Sequence, residues 1–255
     1  MRKLACLLAM MLLPGLVGAA EENLRLMNAQ TDLSDKASLQ RGAKYFVNYC
    51  LGCHSLKYLR YQRLGQDLDI PDELVEKYLI WGDSKISSPI TSAMREKDAN
   101  GWLGAAPLDL TLVIRRRSGG LDVDGGADWL FTYLNTFYRD DKTATGVNNL
   151  VIPNASMPHV LWRLQGIPEP VYQRADGDES SKQRKVVGLK MPDGGGALSK
   201  AEYQRMTRDI VNFLAYASEP IQTTRKALGL PVLLFLIVFL AIIYLLKQEY
   251  WKDVH

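Results

Sequence analysis

The chain has 255 residues, of which 47% are hydrophobic and 23% are charged. These proportions are typical of globular proteins and exclude disordered, collagen-like and coiled-coil chains. The net charge is only +3, from 31 basic and 28 acidic residues, so the strongly basic surface of a nucleic-acid-binding protein is missing. Three cysteines are too few for a disulfide-stabilised scaffold, and each must be interpreted by its own position.

Residues 1–20 have the pattern of a secretory signal peptide. Arg2 and Lys3 precede an apolar run from Leu4 to Val17, and small residues follow it up to Ala20. We therefore expect cleavage near Ala20 and export of the domain that follows. Cleavage would remove Cys6, which leaves a single closely spaced cysteine pair in the mature chain.

The first predicted helix leads into that cysteine pair. Apolar residues recur at helical spacing from Ser38 to Tyr49, and residues 50–54 follow with the C-x-x-C-H pattern of covalent haem attachment. On one helical turn both sulfurs lie on one face, where they can add to the two vinyl groups of a porphyrin. We therefore predict one covalently attached haem c, bound through Cys50 and Cys53, with His54 as a ligand of its iron.

Two other kinds of cysteine site compete with this interpretation. A thioredoxin-like redox pair requires a βαβ context, which the surrounding sequence does not show. A structural zinc site requires four ligands, and beyond His54 the mature chain offers only His159 and His255 as further histidines. Export also favours haem, because thioether cytochromes c are assembled outside the cytoplasm.

The remainder of the exported part is predicted to be mainly helical. Segment Pro71–Trp81 has a proline at its first helical position and acidic residues in its first turn, and Asp128–Tyr138 has apolar residues at helical spacing. The clearest helix is Lys200–Ala217, because Ser199 and Glu202 can form a capping box.

Strand-like alternation is confined to two short runs, Leu110–Ile114 and Val186–Leu189. Turn-rich sequences predict long loops at Ser84–Thr91, Ser118–Gly126, Thr143–Pro158, Asp176–Ser181 and Pro192–Gly196.

A c-type haem iron that only carries electrons normally has six ligands, and a methionine thioether in the sixth position raises its potential. Met157 lies between Pro153 and Pro158, in an irregular stretch that can hold a loop against a haem face. Met206 lies on the apolar face of the last predicted exported helix and is assigned to the core. We predict Met157 as the sixth ligand, with Met191 and then His159 as alternatives.

A run of twenty uncharged residues, Ala227–Leu246, is flanked by basic residues on both sides. In a helix such a run reaches about 30 Å, the thickness of the hydrocarbon core. We predict one membrane span, with Pro231 in its first turn, where a missing amide donor costs little. Together with the signal peptide, this places residues 21–226 on the periplasmic side of the inner membrane and the tail 247–255 in the cytoplasm.

Five segments occur in a distinctive order: YFVNYCLGCHSLKYLRY at 45–61, APLDLTLVIRRRSGG at 106–120, DWLFTYL at 128–134, NASMPHVLW at 154–162 and DIVNFLAYASEP at 209–220. With Arg225 and a single carboxy-terminal span, this set resembles the cytochrome c1 family, the haem subunit of quinol–cytochrome c reductase. The resemblance covers nearly the whole mature chain, whereas small cytochromes c share only the first segment. It implies a mainly α, cytochrome c-like haem domain with long loop insertions and one transmembrane helix.

The resemblance also implies site residues and partners. In the family, a methionine in the position of Met157 is the sixth ligand and an arginine in the position of Arg117 meets a haem propionate. The iron would accept single electrons from a Rieske iron–sulfur subunit and pass them to a cytochrome c, while quinol is oxidised in the cytochrome b subunit. We therefore expect a membrane-bound electron carrier without substrate chemistry of its own. Leu108 departs from the family, which commonly has a second proline after the one that matches Pro107.

Some interpretations stay open on the residues alone. Without the resemblance, the preferred interpretation of Arg117 is a solvated member of the Arg115–Arg117 cluster. Acidic residues within 67–76 and within 122–128 can steer a cationic carrier, or they are solvated helix starts and loops.

Three other functions compete with the electron-carrier prediction. An anchored haem peroxidase would need an open sixth position, against which a permanent bond from Met157 argues. The chain could also be the anchored c-type haem subunit of another periplasmic oxidoreductase. A haem-free thiol oxidoreductase would use Cys50 and Cys53 themselves.

Overall fold

The computed structural model describes residues 24–118, 123–174, 184–192 and 195–252. The predicted signal peptide therefore lies outside the described residues, as do the predicted loop at 176–181, Asp122 and His255.

Helices and short strands are interspersed along the described chain, and the two longest helices are the last two. The helices are α1 (Lys36–Tyr49), α2 (Tyr61–Asp67), α3 (Asp72–Tyr78), α4 (Glu96–Leu103), α5 (Val113–Arg117), α6 (Val123–Asn135), α7 (Trp162–Gln165), α8 (Lys200–Ser218) and α9 (Gln222–Tyr250). Within the described residues the strands form three two-stranded antiparallel sheets: β1 (Leu56–Arg60) with β2 (Pro89–Ile90), β3 (Phe137–Arg139) with β4 (Val147–Asn149), and β5 (Glu169–Arg174) with β6 (Arg184–Lys190). The prediction of a mainly helical domain with one apolar carboxy-terminal helix is confirmed.

The centre of the domain is the crossing of α1 with α8. A Cβ atom on Gly42 would lie 2.1 Å from the carbonyl oxygen of Asp209 and 2.6 Å from the Cβ of Phe213, so only glycine permits the approach. Beside this point the rings of Phe46 and Phe213 pack with their centroids 5.7 Å apart. The crossing thereby positions the carboxy-terminal end of α1, where the C-x-x-C-H segment begins.

Polar contacts at the same crossing are mutually satisfied. Arg41 donates to the Asp209 carboxylate through Nε at 2.7 Å and Nη2 at 2.9 Å. The buried Ser38 hydroxyl donates to the same carboxylate at 2.7 Å. A carboxylate with this many donors can be buried between two helices without an unpaired charge.

The sequence patterns at the amino-terminal ends of α1 and α8 predicted both helices well. Helix α1 begins two residues before the predicted Ser38, because the Asp35 side chain accepts a hydrogen bond from the Ser38 amide at 2.9 Å and caps it. Helix α8 has the predicted capping box between Ser199 and Glu202. Helix α3 is shorter than the predicted segment Pro71–Trp81, and strand β6 contains the predicted run Val186–Leu189.

The prediction of strand-like structure for Leu110–Ile114 is wrong. Asp109 Oδ1 accepts hydrogen bonds from both the amide and the hydroxyl of Thr111, which turns the chain, and α5 begins at Val113. The buried Val113 and Ile114 then lie on one helical face instead of alternating across a strand.

The predicted loop 118–126 and helix 128–138 are both displaced in the structure. Helix α6 begins at Val123, and Gly126 lies within it because a Cβ there would be 1.9 Å from the carbonyl oxygen of Ile114 in α5. The helix ends at Asn135, and residues 137–139 pair with β4 as a strand. The close contact between α5 and α6 therefore explains Gly126, which in the sequence resembles a loop residue.

Helix α9 is long and apolar enough to cross a membrane, and the side chains of its apolar window lie on the outside of the protein. It contains the predicted span Ala227–Leu246 and begins five residues earlier, at Gln222. The placement of Pro231 in the first turn is therefore wrong, since it lies inside the helix. The earlier start agrees with the hydrogen bonds from Arg225 to Glu219, since Arg225 lies one turn into the helix.

Glu219 forms the joint between α8 and α9 and is only 9% exposed. Its carboxylate accepts hydrogen bonds from Arg225 Nε at 2.5 Å and Arg225 Nη2 at 3.0 Å, and it pairs with Arg115 Nη1 of α5 at 2.8 Å. The hydrogen bonds from Arg225, together with the charge of Arg115, hold the pKa of Glu219 below its usual range. The apolar helix is therefore fixed to the domain by an ion-paired carboxylate.

Candidate haem-binding site

The predicted haem attachment segment forms a tight turn at the end of α1. The Cys50 amide donates to the Phe46 carbonyl at 2.8 Å, and the amides of Cys53 and His54 both donate to the Cys50 carbonyl, at 3.0 and 2.8 Å. Both cysteines are free thiols, and Cys50 packs against the hydrophobic core. The structure thus brings Cys50, Cys53 and His54 together in one turn.

His54 is held in one orientation by the segment 106–111. Its Nδ1 lies 2.7 Å from the carbonyl oxygen of Leu108, which can only accept, so Nδ1 carries the proton and Nε2 keeps its lone pair. Burial lowers the pKa of His54, which favours the neutral, metal-binding form of the ring. A proline at position 108 would offer the same carbonyl, so the departure from the family at Leu108 leaves this contact unaffected.

The segment that carries Leu108 is itself anchored. Asp109 Oδ2 accepts from the Lys57 amide at 2.9 Å, and the Leu110 amide donates to the Ser55 carbonyl at 2.9 Å. Sequence reasoning missed this role of Asp109, although an Asp two residues before a Thr is a turn signal. Asp109 therefore holds the His54-supporting loop against the residues that follow the cysteine turn.

Met157 lies on the irregular chain between β4 and α7, half-buried and packed against the hydrophobic core. The alternative Met191 and the core residue Met206 occupy different surroundings. Met191 is 40% exposed, with its sulfur beside Gly166 and Gly195, and Met206 is buried in α8 as predicted. Met157 is thus available at a core surface, while Met206 is enclosed by the core itself.

Arg117 is part of a continuous stack of side chains. Its guanidinium lies 4.2 Å from the centroid of the Trp129 ring, which stacks on Tyr133 with centroids 5.4 Å apart. The ring centroids of Tyr133 and Phe137 are 5.1 Å apart, and Phe137 stacks on His159 with centroids 4.8 Å apart. The stack connects Arg117 with the loop of Met157, two residues before His159.

His159 is 4% exposed and sits against Phe137 as a neutral ring. Burial lowers its pKa to about 4. Its Nε2 has no hydrogen-bond partner among the residues that the structure describes.

The residues of the cysteine turn fit a covalently attached haem better than the two competing cysteine chemistries. Burial raises the pKa of Cys50 to about 12, so its thiol is protonated at neutral pH and unlike the low-pKa nucleophile of a thiol oxidoreductase. Within the described ranges, no group of three or more His, Cys, Asp and Glu could hold a metal ion. Two cysteines and a histidine on one turn, with the imidazole Nδ1 fixed by the Leu108 carbonyl, suit the attachment of haem c.

The acidic clusters are partly neutralised. Asp67 accepts from the Tyr216 hydroxyl at 2.8 Å and pairs with Arg63, and Asp128 accepts from the Ala29 amide at 2.7 Å. Asp69 pairs with Lys36. The first cluster therefore contributes mainly its exposed members Asp72, Glu73 and Glu76 to any steering field.

Comparisons with known proteins identify the family. A profile described as the Cytochrome C1 family matches residues 27–93 and 82–254. A cytochrome c1 of Allochromatium vinosum is 48% identical over 255 residues, which cover 100% of both chains. A protein of Nitrosomonas europaea named ammonia monooxygenase gamma subunit is 41% identical over 251 residues, 98% of this chain and 97% of its own. A cytochrome c1 of Rhodospirillum rubrum is 27% identical and covers 86% of this chain and 83% of its own. The chain therefore belongs to the cytochrome c1 family, the electron-transfer haem subunits of bc1-type complexes.

Proposed function

We propose that this protein relays single electrons from a Rieske iron–sulfur subunit to a cytochrome c, within a quinol–cytochrome c reductase that also contains cytochrome b. The observation that carries the proposal is the turn at residues 50–54, in which two cysteines lie beside a histidine with one ring nitrogen fixed by a hydrogen bond. Family membership supports the assignment to a respiratory complex.

The proposed ligand set comes from three parts of the fold. Cys50 and Cys53 would form the thioether bonds, His54 would bind the iron through Nε2, and Met157 would provide the sixth ligand. When bound, haem c supplies a one-electron couple at its iron. Arg117 contacts a propionate, and the Trp129 ring beneath its guanidinium limits the directions in which that charge can point.

These residues act by holding and shielding the redox centre, without bond-making to a substrate. His54 keeps its orientation through the Leu108 carbonyl, which prevents rotation of the ring away from its ligand position. Met157 packs against the hydrophobic core, and an apolar site with a thioether ligand would favour the reduced iron.

We propose a single-pass topology in the inner membrane, with residues 21–226 in the periplasm, 227–246 in the bilayer and 247–255 in the cytoplasm. Helix α9 supports the anchor, and the residues before Ala20 support export. N-terminal sequencing should find Glu21 or a close neighbour, and a chain that ends before Ala227 should appear in the soluble fraction with haem. A truncated chain that stays in detergent-free membranes without partner subunits would contradict the single anchor.

Purification of the full chain from membranes in mild detergent tests the function. The preparation should contain b-type haem and an iron–sulfur signal, and the chain should stain for haem on a denaturing gel. Cys50→Ala should weaken or abolish the stain, whereas Cys6→Ala, in the predicted signal peptide, should leave it unchanged. A wild-type chain without stain would support the thiol oxidoreductase instead.

The name of the Nitrosomonas europaea relative favours one alternative. In that case this chain would be the anchored c-type haem subunit of another periplasmic oxidoreductase. The same purification separates the two functions, because subunits of a different enzyme would replace cytochrome b and the iron–sulfur protein.

A further inference from the structure

We infer that Asn148 and Asn149 are positioning residues for the loop that carries Met157. They occupy the end of β4, immediately before that loop, and are 6% and 1% exposed. Polar side chains are rarely so buried unless their donors and acceptors are satisfied, and here the oxygen and the nitrogen of each side-chain amide have at least one hydrogen-bond partner. The inference deepens the proposed function, since it assumes that Met157 binds the iron.

Asn149 joins the start of the loop to helix α6. Its Nδ2 donates to the carbonyl oxygen of Tyr133 at 2.8 Å. Its Oδ1 accepts from the amide of Val151 at 2.8 Å and from that of Ile152 at 3.4 Å. One side chain therefore fixes the first turn of the loop against a helix sixteen residues earlier in the chain.

Asn148 holds the loop further along. Its Oδ1 accepts from the Asn149 amide at 2.8 Å and from the Asn154 amide at 2.7 Å. Its Nδ2 donates to Asp140 Oδ2 at 2.8 Å. Asn154 has a positive φ of 58°, a left-handed conformation that this hydrogen bond helps to maintain.

The loop has few other main-chain restraints. Between residues 150 and 157 the structure shows four amides with a hydrogen bond, and three of them donate to these two side chains. The fourth, from Leu150, donates to the Thr136 carbonyl at 3.3 Å. The position of the Met157 sulfur therefore depends on two amide side chains more than on regular secondary structure.

Leucine is close to asparagine in shape but can neither donate nor accept a hydrogen bond. Asn149→Leu and Asn148→Leu are therefore expected to leave loop amides without partners and to let the loop relax. The fraction of the protein in which Met157 binds the iron should fall about tenfold relative to the fraction in which the methionine is detached. The reason is that the free-energy cost of a buried hydrogen-bonding group without a partner corresponds to about a tenfold change in such a ratio.

Asn135→Leu is the matched control. Asn135 also bridges elements, through Nδ2 to the Phe131 carbonyl at 2.8 Å and to Thr207 Oγ1 at 3.0 Å, but it contacts no amide of the loop. It should lower thermal stability without changing the environment of the iron.

The experiment uses the full chain in detergent with its haem content measured. The near-infrared sulfur-to-iron absorption band of the oxidised protein, the midpoint potential and carbon monoxide binding to the reduced protein report the sixth ligand. We expect a weaker band, a lower potential and faster carbon monoxide binding in both leucine variants, and none of these in Asn135→Leu. Unchanged spectra and potential in Asn149→Leu and Asn148→Leu, or the same loss in Asn135→Leu, would overturn the inference. If Met157→Leu retains the band, the ligand assignment itself fails, which is a separate result.

Discussion

Met157→Leu is expected to remove the near-infrared sulfur-to-iron band and to lower the midpoint potential of the protein. Leucine keeps most of the side-chain volume, so the stability cost from packing should stay below about 1.5 kcal/mol. The thioether donor is lost, while covalent attachment through Cys50 and Cys53 should survive. Electron transfer from an iron–sulfur partner should slow, because reduction of the iron becomes less favourable. Absorption spectra together with a redox titration of the haem-loaded protein measure this outcome.

Met191→Leu is the control for that substitution. Met191 is also on irregular chain, but it is 40% exposed and lies beside Gly166 and Gly195. Its replacement should leave both the band and the potential nearly unchanged. Persistence of the band in the Met157 variant, with its disappearance in the Met191 variant, would transfer the ligand role to Met191.

Gly42→Ala is expected to destabilise the domain by about 3 kcal/mol, towards the upper end for overpacked cores. The added methyl would lie 2.1 Å from the carbonyl oxygen of Asp209, so α1 and α8 would have to separate. The atom that it meets belongs to the backbone, which cannot rotate out of the way as a side chain can. Thermal unfolding of the full chain in detergent, followed by far-ultraviolet circular dichroism, reports the change.

Gly101→Ala provides the matched comparison, with the opposite sign expected. Gly101 lies inside α4, and a Cβ there meets no described atom within 4 Å. Alanine should stabilise that helix by up to about 1 kcal/mol, since glycine is a poor helix former. A rise in melting temperature for both variants would show that the crossing at Gly42 tolerates a side chain.

Features set by neighbouring residues were predictable from the sequence. Helix α8 follows from a capping box and an apolar face, and the span Ala227–Leu246 follows from its length and lack of charge. The run Leu110–Ile114 was mistaken for a strand because the turn that precedes α5 depends on the Asp109 side chain. Gly126 was mistaken for a loop residue because the need for glycine at this position comes from the close carbonyl of Ile114, which lies on another helix.

The candidate site shows the same division. The cysteine turn and Met157 were predicted as site residues from spacing and prolines, which are local signals. Asn148 and Asn149 carry no comparable signal, because two asparagines within the turn-rich segment Thr143–Pro158 also suit an exposed turn. Their role depends on where Tyr133 and Asp140 lie in the fold, and only the packed structure brings these groups together.

The two-armed pairing of Glu219 has a consequence for how such a carrier can exchange electrons. Arg115, which pairs with Glu219 at the joint to α9, lies on the same short helix as Arg117, whose guanidinium packs on the Trp129 ring. Both arginines lie on α5, so α9 and the ring stack are joined through one short helix and the ion pairs of Glu219. With α9 in the bilayer, as proposed, this link restrains rotation of the domain relative to the membrane. The redox partners of the proposed relay would then meet the domain in one preferred orientation.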